Sequence, residues 1–143
     1  MAIKQIAIFV ENRHGTLAET VSLLADADID IRAFSVSETQ DFGIIRMIVS
    51  DTDKAKDVIS KSNHVCAITE VVGVKIPDTP GSMAKVVCLF AENEINIEYI
   101  YAFIGHSGKS AWVVIRVADN DKAEQLLTQN GFELFTDNDV KSL

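Results

Sequence analysis

The stretch ENRHGTLAE, beginning at Glu11, returns as PDTPGSMAK beginning at Pro77, with Gly15 and Gly81 in register 66 residues apart. DADIDI at 26–31 is answered by ENEINI at 92–97. Beyond a two-residue insertion, SDTDKA at 50–55 is answered by ADNDKA at 118–123. The 143 residues are therefore two copies of one unit, spanning 1–69 and 70–143. Such a period is too long, and two copies too few, for a solenoid, so each unit is read as a small fold. A unit of about 70 residues buries too little surface to be comfortably stable alone. The units are expected to pack on each other and on a second chain, as a homodimer.

Hydrophobic periodicity gives the same order of elements in both copies. In the first, Ile3–Val10 reads as a strand, ENRHG as a turn, and Leu17, Val21 and Leu24 as the buried stripe of a helix. Thr16 with Glu19 three residues on fits a capping box. Strands follow at Ile29–Ser37 and Gly43–Val49, joined by ETQDF; then come a helix carrying Ala55, Val58 and Ile59, and a strand at Val65–Thr69. The second copy has a strand at Val71–Ile76, a helix with Met83, Val87 and Phe90 inward, and strands at Ile95–Ile104 and Ala111–Val117 around a GHSGK turn (105–109). A helix marked by Ala123, Leu126 and Leu127 stops at Asn130-Gly131. Phe132–Thr136 is the last strand, and the tail beyond reads as a frayed end on which Val140 could dock.

The order βαββαβ, twice, predicts an α+β fold: two ferredoxin-like units, each an antiparallel sheet with both helices on one face. A sheet with one wet face alternates apolar and polar residues. These strands barely alternate, because Ile6, Ile8 and Val10 point one way while Ile3, Ala7 and Phe9 point the other. The second face is expected to be covered by the sister unit or another subunit.

A net charge of −8 argues against nucleic acid, which is bound mainly through Lys and Arg. With 48% hydrophobic and 24% charged residues the chain reads as a globular, cytoplasmic protein. No run of about 18 apolar residues suggests a membrane span, and the N-terminus lacks the pattern of a signal peptide. Cys66 and Cys88 read as reduced, largely buried residues. His14, His64 and His106 are dispersed, so neither a metal nor another cofactor is expected. No catalytic residue is assigned: no nucleophile elbow is present, and the acidic pairs Asp51/Asp53 and Asp119/Asp121 sit where they stabilise helix starts.

The two glycine loops carry the chemistry. Free N–H groups of a first helical turn, at the positive end of the macrodipole, suit a carboxylate. Gly15 and Gly81 have no Cβ and let a ligand approach the backbone closely. Asn12 and Asp78, each three residues before its glycine, offer oxygens to an ammonium group, and Thr16 and Ser82 add hydroxyls. That combination suits a free amino acid. A polar glycine loop that merely caps a helix fits the same residues, and sequence physics leaves both readings open.

The pattern of strand, then NRHGTLA or DTPGSMA, then helix, then the IDI or INI strand, resembles the ACT domain, over about 3–69 and 70–136. That family is a regulatory βαββαβ module that binds amino acids between paired domains, using the glycine loop of one and the second strand of its neighbour. The resemblance implies one ligand site at Asn12, Arg13, His14, Gly15, Thr16 and Leu17. It implies another at Asp78, Thr79, Pro80, Gly81, Ser82 and Met83, with second-strand backbone near Ile31 and Ile97. His14 stands where the family usually has proline, which leaves the first site open to being looser, altered in specificity or vestigial. Tyr99 and Tyr101 replace Ala33 and Ser35 of the first unit, either as packing or as the wall of a ligand pocket.

Three functions follow. The first is a non-catalytic sensor of free amino acids, regulating amino-acid metabolism or transport through a partner enzyme or transporter. The second is a structural or protein-interaction module with no ligand. The third, a small phosphate-handling enzyme on the same fold, is disfavoured because the needed Arg and Asn signature is lacking.

Overall fold

The computed structural model describes residues 2–38, 41–104 and 110–143. The GHSGK segment at 105–109 lies outside the described residues, as do Thr39 and Gln40 of the ETQDF connection. Two compact units are present, Lys4–Thr69 and Glu70–Leu143, the second also taking Ala2 and Ile3.

In the first unit the order is β1 (Ile3–Glu11), α1 (Thr16–Asp26), β2 (Ile31–Glu38), β3 (Phe42–Val49), α2 (Thr52–Lys61) and the opening residues of β4 (Val65–Pro77). In the second unit the rest of β4 is followed by α3 (Ser82–Glu92), β5 (Tyr99–Ala102), β6 (Ser110–Arg116), α4 (Asn120–Gln129), β7 (Glu133–Leu134) and α5 (Asp137–Lys141). The strands lie in the order β2-β3-β1-β4 in one unit and β5-β6-β4-β7 in the other, the same permutation twice. The strands expected at Val65–Thr69 and Val71–Ile76 are one uninterrupted strand of 13 residues.

Each sheet buries one face under its two helices. Ile6, Ile8 and Val10 of β1 and Ile45, Met47 and Val49 of β3 pack with Leu24 of α1 and Ala55 and Ile59 of α2. In the second unit Val72, Val74, Ile76, Val113, Ile115 and Val117 meet Val86, Phe90, Ala123 and Leu127. The two-residue spacing along each strand puts these side chains on one face.

The helical stripes differ from expectation. On α1 the fully inward residues are Thr16, Thr20 and Leu24, and Leu17 is exposed; on α3 they are Ser82, Val86 and Phe90, and Met83 and Val87 are exposed. Small hydroxyl residues let the first turn of each helix lie close to the sheet, and Thr20 donates its proton to the Thr16 carbonyl at 2.9 Å. Cys66 is half-buried, but Cys88 is exposed, contrary to expectation, because α3 turns Val86 and Phe90 inward on either side of it.

The other sheet faces are covered unevenly. In the first unit Gln5, Ala7, Ala33 and Ile48 are buried, while Phe9 and Phe42 remain exposed, their rings edge to face at 6.4 Å. In the second unit Phe135 lies against Gly73, packs on Trp112 with ring centroids 4.5 Å apart and planes tilted by 30°, and meets Phe103 edge-on at 5.2 Å. Here part of the cover comes from the unit's own C-terminal segment. That segment is not frayed: α5 starts with a complete capping box between Thr136 and Asp139, and Val140 is buried. Tyr99 and Tyr101 stack at 6.3 Å opposite Arg116 and Val114, on the face away from α3 and α4.

Candidate functional site

The first glycine loop is shaped by the backbone. Gly15 adopts φ 89° and ψ −7°, in the left-handed region that a residue with a Cβ enters only at a cost. A Cβ built there would meet nothing within 4 Å, so the space beside it is open. The expected capping box is absent. The N-cap is Gly15 itself, with no side-chain cap. Thr16 already lies inside the helix and turns its hydroxyl back to the carbonyls of Glu11 (3.1 Å) and Arg13 (3.0 Å). Glu19 faces Arg13 Nη2 at 3.7 Å and His64 Nε2 at 3.5 Å instead.

The second loop repeats this shape. Gly81 adopts φ 88° and ψ −10°, and Lys85 N donates to Gly81 O at 3.1 Å as Glu19 N does to Gly15 O at 3.0 Å. Ser82 Oγ shares a hydrogen bond of 2.8 Å with Thr79 Oγ1. The other two long helices are closed differently. Asp51 caps α2 by accepting from Lys54 N, and Asp119 caps α4 by accepting from Lys122 N, each at 3.1 Å. Helices α1 and α3 thus begin without the side-chain oxygen that occupies α2 and α4; Thr16 N and Ser82 N donate to the carbonyls of Arg13 (3.5 Å) and Thr79 (3.2 Å), and the next N–H groups of each first turn have no acceptor inside a helix.

A cavity of about 590 Å³ opens at the start of α1. It is lined by the loop residues Asn12, Arg13, His14, Gly15 and Thr16, by Leu17 and Ala18, and by strand-end residues Val10, Glu11, Val36, Ser37, Glu38, Gly43 and Ile45. All six sequence-predicted residues of the first loop therefore meet at one cavity. Topology explains the rest. β1 and β2 both run antiparallel to β3, hence parallel to each other, so the ends of β1 and β2 flank the start of β3. Gly43 pairs with both Val10 and Glu38. Ile31 pairs with Val49, six residues and roughly 20 Å farther along β3. Ile31 packs against the core and does not line this cavity.

Charge surrounds the mouth and the floor is apolar. Arg13 Nε meets Glu11 Oε2 at 3.2 Å. Asn12 Nδ2 donates to Glu38 Oε1 at 2.8 Å, which leaves the amide oxygen of Asn12 as an acceptor. Val10, Val36 and Ile45 form the floor. The arrangement pairs helical N–H donors with acceptor oxygens over a hydrophobic base. Sequence reasoning missed Val36, Ser37, Glu38 and Gly43, which only the parallel relation of β1 and β2 brings to the loop.

In the second unit Thr79 and Ser82 line a cavity of about 590 Å³ with Lys75, Ile76, Pro77, Lys85, Ser110 and 130–133. Asp78, Pro80, Gly81 and Met83 do not line it, and Ile97 packs against the core. Among the described residues no group of three or more His, Cys, Asp or Glu is placed to hold a metal ion. No helix among them is long and apolar enough to cross a membrane.

The sequence matches a family described as an ACT domain pair over residues 1–143. No curated protein matches it. Among solved structures, protein BT0572 from Bacteroides thetaiotaomicron is 38% identical, with a TM-score of 0.90 over 100% of this chain and 98% of that one. The regulatory subunit of aspartate kinase from Thermus thermophilus is 18% identical, with a TM-score of 0.64 over 88% of this chain and 90% of that one. Aspartate kinase from Synechocystis is 20% identical, with a TM-score of 0.58 over 89% of this chain and 24% of that one. The last two show a shared fold.

Proposed function

The chain belongs to the ACT domain family, and from that premise we propose that it is a non-catalytic sensor of free amino acids, regulating amino-acid metabolism or transport. The observation that carries this reading is the cavity at Gly15, where a helix start without a side-chain cap meets acceptor oxygens. A ligand carboxylate accepts from the N–H groups of the first turn of α1, favoured by the helix dipole. Its ammonium group donates to the Asn12 amide oxygen and the Glu38 carboxylate. Asn12, Arg13, His14, Gly15, Thr16 and Leu17 form the first site.

The loop Asp78, Thr79, Pro80, Gly81, Ser82 and Met83, with the same backbone shape, is the second site. Ile31 and Ile97 enter only where a second strand from another chain reaches a loop, which makes a homodimer part of the proposal. The exposed Leu17 and Met83, at equal positions beside the two loops, suit such a contact. The regulatory role is carried over by likeness of fold to the aspartate kinase regulatory subunit, with an enzyme or transporter as its partner.

A thermal-shift series against the twenty amino acids tests this. A ligand at 100 times its Kd stabilises by about 2.7 kcal/mol and raises the Tm. If no amino acid moves the Tm at millimolar concentration, the chain is a structural or protein-interaction module instead.

A further inference from the structure

At the floor of the first cavity Val10 of β1 pairs with Gly43 of β3, and the equivalent pair in the second unit is Ile76 with Ala111. Val10 and Ile76 both belong to the cores under the helices, so each pair faces the helix side of its sheet. Gly43 is buried and lines the cavity. A Cβ added to it would lie 3.5 Å from Val10 Cγ2 and 3.5 Å from Ser37 O, which is ordinary contact, and its backbone is not left-handed. Neither crowding nor strain requires glycine at this position. What the missing Cβ does is leave a corner of the floor open, directly beneath the glycine loop.

The second unit carries more side-chain volume at the equivalent pair. Ile76 and Ala111 each carry one carbon more than Val10 and Gly43. Its smaller pair, Ala102 with Val113, lies two residues farther along, where the first unit has Val36 with Ile45. At these two pairs the units differ in side-chain volume in opposite directions, although Gly15 and Gly81 share one backbone conformation.

We propose that Gly43 sets the side-chain selectivity of the first loop site, by keeping open a corner that takes a large, uncharged, apolar side chain such as that of leucine, methionine or phenylalanine. This rests on the amino-acid reading above. Val10, Val36 and Ile45 present nothing that could pair a charge, and an unpaired charge against such a floor is costly. Glu11 and Glu38 at the mouth repel an acidic side chain, and Arg13 is already engaged by Glu11 and Glu19. Alanine or serine would leave the floor unfilled. On this assignment the loop with His14 in the proline position is a working site.

Calorimetric titration of the full chain with leucine, phenylalanine, alanine, aspartate and lysine tests the assignment. The wild type is expected to bind leucine or phenylalanine at least about tenfold more tightly than alanine, the range one or more methylenes command in an apolar pocket. Gly43→Val is expected to weaken the large ligand by about tenfold or more, with a smaller effect on alanine. Val10→Ile, which copies Ile76, should act in the same direction and covers the case in which Gly43→Val does not fold. Preference of the wild type for aspartate, lysine or alanine overturns the proposal, as does unchanged affinity for the large ligand in the folded variants. Those results leave the sensor reading standing, whereas a wild type that binds no amino acid removes both.

Discussion

Gly15 and Gly81 hold one backbone conformation, φ 89° and ψ −7° against φ 88° and ψ −10°. Nothing lies within 4 Å of the position a Cβ would take at either one. The cost of Gly15→Ala or Gly81→Ala is therefore the left-handed backbone alone, about 1–2 kcal/mol each. Urea denaturation of the two single variants should give similar losses. A loss at one site several times that at the other would show that the loops are not equivalent.

Asp51 and Asp119 close α2 and α4 with the same bond at the same length, 3.1 Å. Asp51→Ala and Asp119→Ala are each expected to lower stability by about 1 kcal/mol. Glu19→Ala removes an exposed ion pair with Arg13 and a contact with the partly buried His64 ring but no capping box, and should cost less than about 1 kcal/mol. A loss at Glu19 matching that at Asp51 would restore the capping role.

Gly73 is glycine because Phe135 occupies its space: an added Cβ would sit 2.6 Å from the ring. The ring is fully buried and packed at a tilt against Trp112. Gly73→Ala should destabilise by about 1–3 kcal/mol through overpacking, and shift the fluorescence of Trp112, the one tryptophan. Gly43→Ala, by contrast, meets only ordinary contacts at 3.5 Å and should leave ligand-free stability little changed.

The Asp139 carboxyl is held below its ordinary value of 3.8 by hydrogen bonds from the Thr136 backbone N–H and hydroxyl, with Lys75 adding a favourable charge. A carboxyl lowered in the folded state adds stability above its unfolded value and gives it up as pH falls through its folded value. The α5 segment is expected to stay docked from neutral pH to about pH 4 and to loosen in more acid solution. Trp112 fluorescence against pH reads this, and Asp139→Asn should flatten the acid limb. An acid transition identical in the variant would assign the effect elsewhere.

The duplication and the order of strands and helices were legible because periodicity is a property of neighbours in sequence. Gly131 as a helix terminator was legible for the same reason, and it has φ 82°. What misled was ambiguity one residue wide. Thr16 and Glu19 fit a capping box whether Thr16 precedes the helix or begins it, and Gly15 in the left-handed region decides between them. Leu17 and Met83 looked like core because they are apolar, yet Thr16 and Ser82 take the inward positions. Helix α5 is only five residues long, too short for a period, although Thr136 and Asp139 carry its start signal. The six residues of the first loop were legible because they are contiguous. Glu38 and Gly43 were not, since only strand pairing brings them beside Val10 and Asn12.

Amide chemical shifts during titration with the preferred amino acid address the central claim most directly. If the ligand carboxylate docks at the open helix start, the N–H signals of Gly15, Thr16, Leu17 and Ala18 move most, together with that of Glu38. Shifts confined to other surfaces, or none at these five amides under saturating ligand, would contradict it.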